Sequence, residues 1–376
     1  MILRENLKFN LEQIQQKARE RTVKTQNIEY DLETLVKRIS KGSIKLDPDY
    51  QRRHRWSNEM SSRLVESLIL NIPIPVIFIS QDVDVDEETD EATSRYTVID
   101  GQQRLTAIFD FMKGEYPLEG LEVLEELNGS FYKDLPPFLF RRLEERTVKC
   151  LRIDSTVDSQ VKYDIFERLN TGSVKLEPQE LRNAVARGPF NDAIKKMAEF
   201  EDFRRCIRVD LKDPESSAKV KKMEDVELVL RFFALRGQGY TELKKSFRDH
   251  LTWKQNEFNK LSDDEIAIAG IHFRSYMSFF AGDGKGSPFA KLIVTDGGVR
   301  QASSFNAAVY DAMAIGFANV FNVNEINNRR DELYQKFVGL RGLFADQDFS
   351  GAISGSVNDA QKVKVRIEMV VAKLRA

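Results

Sequence analysis

Twenty residues, RYTVIDGQQRLTAIFDFMKG (95–114), change their hydrophobic period midway, and no other feature constrains the fold of this chain as strongly. Arg95 to Asp100 is a β-rich run, Asp100-Gly101 is a tight turn, and Leu105, Ile108, Phe109 and Met112 then recur at helical spacing. A strand that turns through glycine into a helix leaves unpaired N–H groups and a positive dipole end at Gly101–Arg104. That is a natural anion site, and Arg104 adds forked donors suited to phosphate oxygens. A plainer role fits the same residues: Asp100 as N-cap and Gln103 three residues on make a capping box, with Arg104 in an ion pair. Local physics leaves both open.

The flanking segments divide the chain. SNEMSSRLVESLIL (57–70) begins with Ser57 as N-cap and repeats Met60, Leu64, Val65, Leu68 and Ile69 along one helical stripe, which Asn71 and the IPIP segment end. VIFIS (76–80) and RYTVID (95–100) read as strands joined by DVDVDEETDEATS, an exposed loop with seven acidic residues. TVKCLRID (147–154) is a further strand. SQVKYDIFERLN (159–170) is a helix with Val161, Ile165, Phe166 and Leu169 on one face, and EPQELRNAVA (177–186) is another, with Pro in its first turn. Gly188-Pro189 marks a seam, which gives an N-terminal extension (1–25), a mixed domain (26–188) and a helical domain (189–376). Helix-like spacing past the seam recurs at 223–237, 264–280, 304–321 and 360–376, and AGDGKGSPFA (281–290) is a Gly-rich loop.

Composition removes several classes. The 57 Lys+Arg nearly cancel the 59 Asp+Glu, for a net charge of −2, so any basic site is local. The local one is YQRRHRW (50–56), fit for phosphate backbone or for stacking on a base, and equally for a solvated basic turn over a packed Trp56. Apolar residues at 41% support a real core. The two cysteines, Cys150 and Cys206, are too far apart in sequence to suggest a disulfide framework, so a reducing, cytoplasmic setting is expected, with Cys150 a packed thiol rather than a nucleophile. The most apolar stretch, LILNIPIPVIFIS (68–80), is broken by Asn71, Pro73 and Pro75, so neither signal peptide nor membrane span is expected. His54, His250 and His272 are scattered, which leaves no material for a zinc site or a His-based triad. FERLNTGSVKLEPQELRNA (166–184) gathers Arg168, Asn170, Glu180, Arg182 and Asn183 about a Thr171-Gly172 turn, either to line a cleft or as helix ion pairs and caps.

In chain order, Tyr50-Gln51-Arg52 with Trp56, the helix and IPIPVIFIS strand, VIDGQQRLTAI, FERLNTGSVKLEPQELRNA and MEDVELVLRFFAL together resemble the N-terminal domain family of GmrSD-type, modification-dependent restriction endonucleases. The resemblance spans 25–235 and implies an α+β fold. Its first domain would be similar to the ParB/sulfiredoxin superfamily, in which a Gly-x-x-Arg turn at a helix start binds nucleotide phosphates, and a mainly helical domain would follow. Gly101 and Arg104 match that turn. By the same resemblance Asp100, Gln103 and Arg104 are the catalytic candidates, with Asp100 holding Mg²⁺ or orienting water. The resemblance also implies that Gly101, Gln102, Gln103, Arg104 and Arg52 would bind nucleotide, with Tyr50, Gln51, Arg53, Trp56, Arg168 and Asn170 as DNA or pocket candidates.

Many relatives add a C-terminal HNH nuclease, but the three histidines here read His-Arg-Trp, His-Leu-Thr and His-Phe-Arg, none beside a proline, so DNA cleavage by this chain alone is not expected. The resemblance therefore implies a nucleoside triphosphate- and Mg²⁺-using sensor module of a prokaryotic restriction or anti-phage system. Its expected partners are nucleotide, DNA, a separate nuclease subunit and a second copy of itself. The alternative is a non-catalytic DNA-binding or adaptor protein on the same fold.

Overall fold

Five strands and the helices packed on one face of them organise the first half of the chain. The computed structural model describes residues 23–46, 56–85, 92–154, 157, 161–162, 165, 168–169, 177–244, 246–282, 287–295 and 298–376. Contacts divide the chain into two units, Met1–Lys175 and Leu176–Ala376.

In the first unit, β1 (Thr25–Asp31) leads directly into α1 (Leu32–Ser40), because the Asp31 carboxylate accepts from the Thr34 N–H at 2.7 Å and caps the helix. β2 (Ile44–Lys45) follows, then α2 (Asn58–Ile69), capped as expected by Ser57. β3 (Ile77–Val85) and β4 (Ala92–Asp100) form an antiparallel pair, α3 (Gln102–Lys113) follows β4, and α4 (Pro137–Glu144) precedes β5 (Thr147–Ile153). Strand order is β1-β5-β3-β4-β2, with β5–β3 and β4–β2 parallel and the other pairs antiparallel.

The register places Ile77, Ile79, Val98 and Cys150 on one face, where they share a core with Leu64, Val65 and Leu68 of α2 and Leu105, Ile108 and Phe111 of α3. Cys150 is the packed thiol expected: burial pushes its pKa up to about 11.

Three details depart from the sequence reading. Met60 is 52% exposed and lies outside the stripe of α2, whose core face adds Ser62 and Glu66. On α3 the innermost aromatic is Phe111, while Phe109 and Met112 are half-buried. The acidic loop is shorter than 82–94, because Val85 pairs with Ala92 and the Asp-Val-Asp-Val alternation continues β3. Period-two alternation is a strand signal even where half of it is charged.

In the second unit the first helix is α5 (Pro178–Val185). The division between the two units lies between Lys175 and Leu176, ahead of the Gly188-Pro189 punctuation. The reason is the packing of α5 against α8: Arg182 reaches Glu227 at 3.0 Å and the Asn183 amide points at the Met223 sulfur. α6 (Pro189–Ala198), α7 (Glu201–Cys206), α8 (Glu224–Leu235), α9 (Phe247–Phe258) and α10 (Asp263–Ala281) then build an aromatic core with Phe190, Phe203, Phe232, Phe273, Phe279 and Phe280 fully buried.

A two-stranded hairpin, β6 (Lys291–Thr295) with β7 (Gly298–Ser303), interrupts the helices. The sequence reading missed it, although β-branched Ile293, Val294 and Thr295 before Asp296-Gly297 carry a hairpin signal. The stretch 304–321 is helical at Ala307–Tyr310 and Gly316–Ala318 around a π-turn at Asp311–Ile315. The terminal helix α11 (Ala360–Arg375) completes the core. Among the described residues no helix is long and apolar enough to cross a membrane.

Candidate functional site

The turn from β4 into α3 gathers most of the described candidates. Gly101 is the N-cap of α3 with φ 96° and ψ 12°, a left-handed conformation that only glycine adopts without strain. A Cβ there would lie 3.0 Å from the Ile77 side chain and 3.3 Å from Arg104 Nη2, so the position is restricted twice, by backbone and by space. No side chain caps this end of α3. The capping box drawn from Asp100 and Gln103 does not form, because the N-cap falls on glycine and both side chains have other partners. The first intrahelical bond runs from Leu105 N–H to the Gly101 carbonyl at 2.9 Å, which leaves the amides before Leu105 as the amino end of the helix.

Arg104 is 11% exposed in its side chain and is held from two sides. Nη2 donates to Asp100 Oδ2 at 2.6 Å, and Nη1 donates to the Pro75 carbonyl and, at 3.4 Å, to the Val76 carbonyl. Asp100 is less sheltered, 43% exposed, at the end of β4 where it pairs with Phe78. The guanidinium thus fastens the first turn of α3 to the lead-in of β3. Pro75, Val76 and Ile77 escaped the sequence reading as site residues. The available signal was the IPIP run itself, since the extended backbone around X-Pro leaves carbonyls without ladder partners.

Gln103 reaches backwards in the chain. Its Oε1 accepts from the Trp56 N–H at 3.1 Å, so the end of YQRRHRW and the Asp-Gly-Gln-Gln-Arg turn, 47 residues apart, meet in one place. A backbone N–H can only donate, so this bond fixes Oε1 toward Trp56 and leaves Nε2 as a donor. Nε2 is buried and has no hydrogen-bond partner among the described residues. A buried donor with no acceptor costs about 1–3 kcal/mol, so an acceptor supplied by a ligand would relieve it. Gln102 is buried in the same turn.

Tyr50, Gln51, Arg52, Arg53 and His54, together with Asn170 and the Thr171-Gly172 turn, lie outside the described residues. Arg168 is exposed on a described helical fragment. Arg182 and Glu180 serve structure: Arg182 is buried against Gln179 and Glu227, and the Glu180 carboxylate accepts from the Glu177 N–H at 2.7 Å to cap α5. His250 is buried with its pKa pushed down by desolvation, and no group of three or more His, Cys, Asp or Glu could hold a metal among the described residues.

Residues 32–186 match the model of the family described as GmrSD restriction endonuclease, N-terminal domain. This segment belongs to that family. The match begins at α1, takes in the Asp100–Arg104 turn and the whole sheet after β1, and ends at α5. Comparison with curated proteins gives no match. The GmrSD N-terminal domain therefore supplies the sheet after β1 and its turn, while α5, part of the family segment by sequence, packs in the helical unit.

Proposed function

We propose that this chain is a nucleotide-binding module of a cytoplasmic restriction system, with the Asp100–Arg104 turn as its phosphate site and a separate subunit performing any DNA cleavage. One observation carries the proposal: the amino end of α3, opened by a left-handed glycine, has an arginine on one side and, on the other, a buried glutamine donor with no partner among the described residues. Backbone N–H groups, a helix dipole and a guanidinium all favour an anion at the same place. A neutral adaptor surface would need none of the three.

The carboxylate content limits what the protein contributes to a metal. Asp100 is the one carboxylate at the turn, and its Oδ2 is engaged by Arg104, so these residues do not form a cation cage. They fit Mg²⁺ that is carried mainly by phosphate oxygens and water, with Asp100 as a single protein contact, the usual manner in which Mg²⁺ accompanies nucleotides. When bound, the ion would neutralise phosphate charge beside Asp100. Gly101 lets a phosphate approach the backbone, Arg104 offsets charge on the oxygens and Gln103 Nε2 donates to an acceptor.

The test is a thermal-shift and hydrolysis panel of ATP, GTP, CTP and UTP with Mg²⁺, run on wild type beside Arg104→Ala. A nucleotide at 100 times its Kd stabilises by about 2.7 kcal/mol, and that stabilisation should vanish in the variant. No response to any nucleotide in the wild type would overturn the proposal and favour the DNA-binding or adaptor alternative.

A further inference from the structure

Arg104 and Asp100 are close enough to exclude a third charged group from their shared edge. The 2.6 Å contact puts the Asp100 carboxylate on Nη2, while Nη1 is turned away onto the Pro75 and Val76 carbonyls. A phosphate on Nη2 must therefore displace Asp100 or sit beside it, and two anions sharing one guanidinium repel each other. The carbonyl bonds do not depend on Asp100. They keep the guanidinium oriented when the carboxylate leaves, so the cationic surface is held ready while its own aspartate covers it.

Resting on the phosphate-site reading above, we propose that Asp100 is an internal competitor: it occupies the phosphate edge of Arg104 in the ligand-free protein and must be displaced, or neutralised by a cation, for a polyphosphate to bind. The pair is a self-made block on the turn. It makes the site discriminate between a polyphosphate that arrives with a divalent cation, which can pair with the carboxylate, and a bare anion, which cannot. Asp100 then acts on selectivity before any chemistry occurs.

Opposite responses of one variant test this. Binding of tripolyphosphate, a probe with no base, is measured by calorimetry in EDTA and again with Mg²⁺, on wild type, Asp100→Asn, Arg104→Ala and the double variant. Without metal, Asp100→Asn should bind about three- to tenfold more tightly than wild type, the range for removal of one partly exposed charge at this distance. With Mg²⁺ the advantage should shrink or reverse, and Arg104→Ala should lose binding in both backgrounds. Thermal melting and Asp100→Ala guard against a variant whose β4–α3 joint is merely disturbed.

If wild type binds and Asp100→Asn binds no more tightly in EDTA, the competitor role is overturned while the phosphate site stands. If no variant binds tripolyphosphate and wild type ignores every nucleotide with Mg²⁺, the phosphate site falls and the competitor with it.

Discussion

The two units handle charge in opposite ways. In the first, one arginine and one aspartate meet at a turn that water reaches on the carboxylate side, next to a glutamine donor that has no partner among the described residues. In the second, three arginines and two carboxylates form a chain through the Phe-rich interior. Arg182 and Arg231 meet Glu227 at 3.0 and 3.5 Å, Arg231 grips Asp311 through Nε at 3.0 Å and Nη2 at 2.5 Å, and Arg366 reaches the same Asp311 at 2.5 Å. Arg366 and Asp311 are wholly buried. Burial alone would raise the Glu227 pKa, but Arg182 and Arg231 outweigh it and hold the carboxyl below its usual range. Sheltered charges bonded mostly to one another fix an architecture, whereas a half-sheltered pair at a helix start is placed to exchange partners.

The sharpest way to break that contrast is Asp311→Asn. It leaves Arg231 and Arg366 buried without their shared anion, and a buried pair broken on one side costs about 3–5 kcal/mol. Urea or thermal unfolding should show a loss of that size. Arg366→Met in the same background should restore part of it, because one of the two stranded charges is gone. A variant that kept its stability yet lost its nucleotide response would make the buried chain functional and the contrast false.

Next comes Glu66, a buried carboxylate in the first unit that belongs with the structural class. It accepts from the Val123 and Leu124 N–H groups at 2.8 Å and from Glu122 N–H at 3.3 Å, which ties the 122–124 loop to α2. Glu66→Ala should cost about 2–3 kcal/mol, since three amides lose a charged acceptor. Burial pushes the Glu66 pKa up, but the three amides prevail and hold it below the ordinary carboxylate range. Stability from this group is therefore present above the unfolded pKa and lost as pH falls through the lower folded value. Melting curves of wild type and variant should converge only in acid below the ordinary carboxylate range.

These two sites also show how far the sequence could be read. The turn at Asp100-Gly101 was legible because the hydrophobic period changes there, and α2 was legible because Ser57 and Leu64, Val65, Leu68 and Ile69 obey local rules. Asp311 was not, since its partners Arg231 and Arg366 stand 80 and 55 residues away and an isolated aspartate has no spacing to reveal them. For Arg182 the sequence left a cleft and a helix ion pair both open, and only α8 packing against it showed a buried ion pair with Glu227, 45 residues away. Gln103 looked like part of a capping box because local sequence cannot see that Trp56 competes for the same oxygen. The β6–β7 hairpin was overlooked because its neighbours on both sides are helical.

A smaller effect separates backbone from chemistry at the turn. Gly101→Ala forces a side chain into φ 96° and brings its Cβ to 3.0 Å from Ile77, a cost of about 1–2 kcal/mol from the left-handed conformation alone. The approach of phosphate to the backbone is obstructed as well, so the nucleotide-induced shift should fall by more than the stability loss explains. If melting temperature drops while the shift at saturating nucleotide stays whole, the glycine serves only the turn.

Arg104→Ala has the smallest expected effect on stability and decides most about the comparison. Removing the side chain leaves Asp100 without its cation, but that carboxylate is 43% exposed and water can replace the lost partner. The Pro75 and Val76 carbonyls lose one donor between them, so the summed cost should be about 1 kcal/mol, several times less than for Asp311→Asn. Against that small change stands complete loss of nucleotide protection. A structural arginine would give the reverse: a large fall in melting temperature and an intact ligand response in the fraction that remains folded. The ratio of the two readouts, measured on Arg104→Ala and Asp311→Asn side by side, therefore separates a charge held for a ligand from a charge held for the fold, even before the nucleotide that binds best is known.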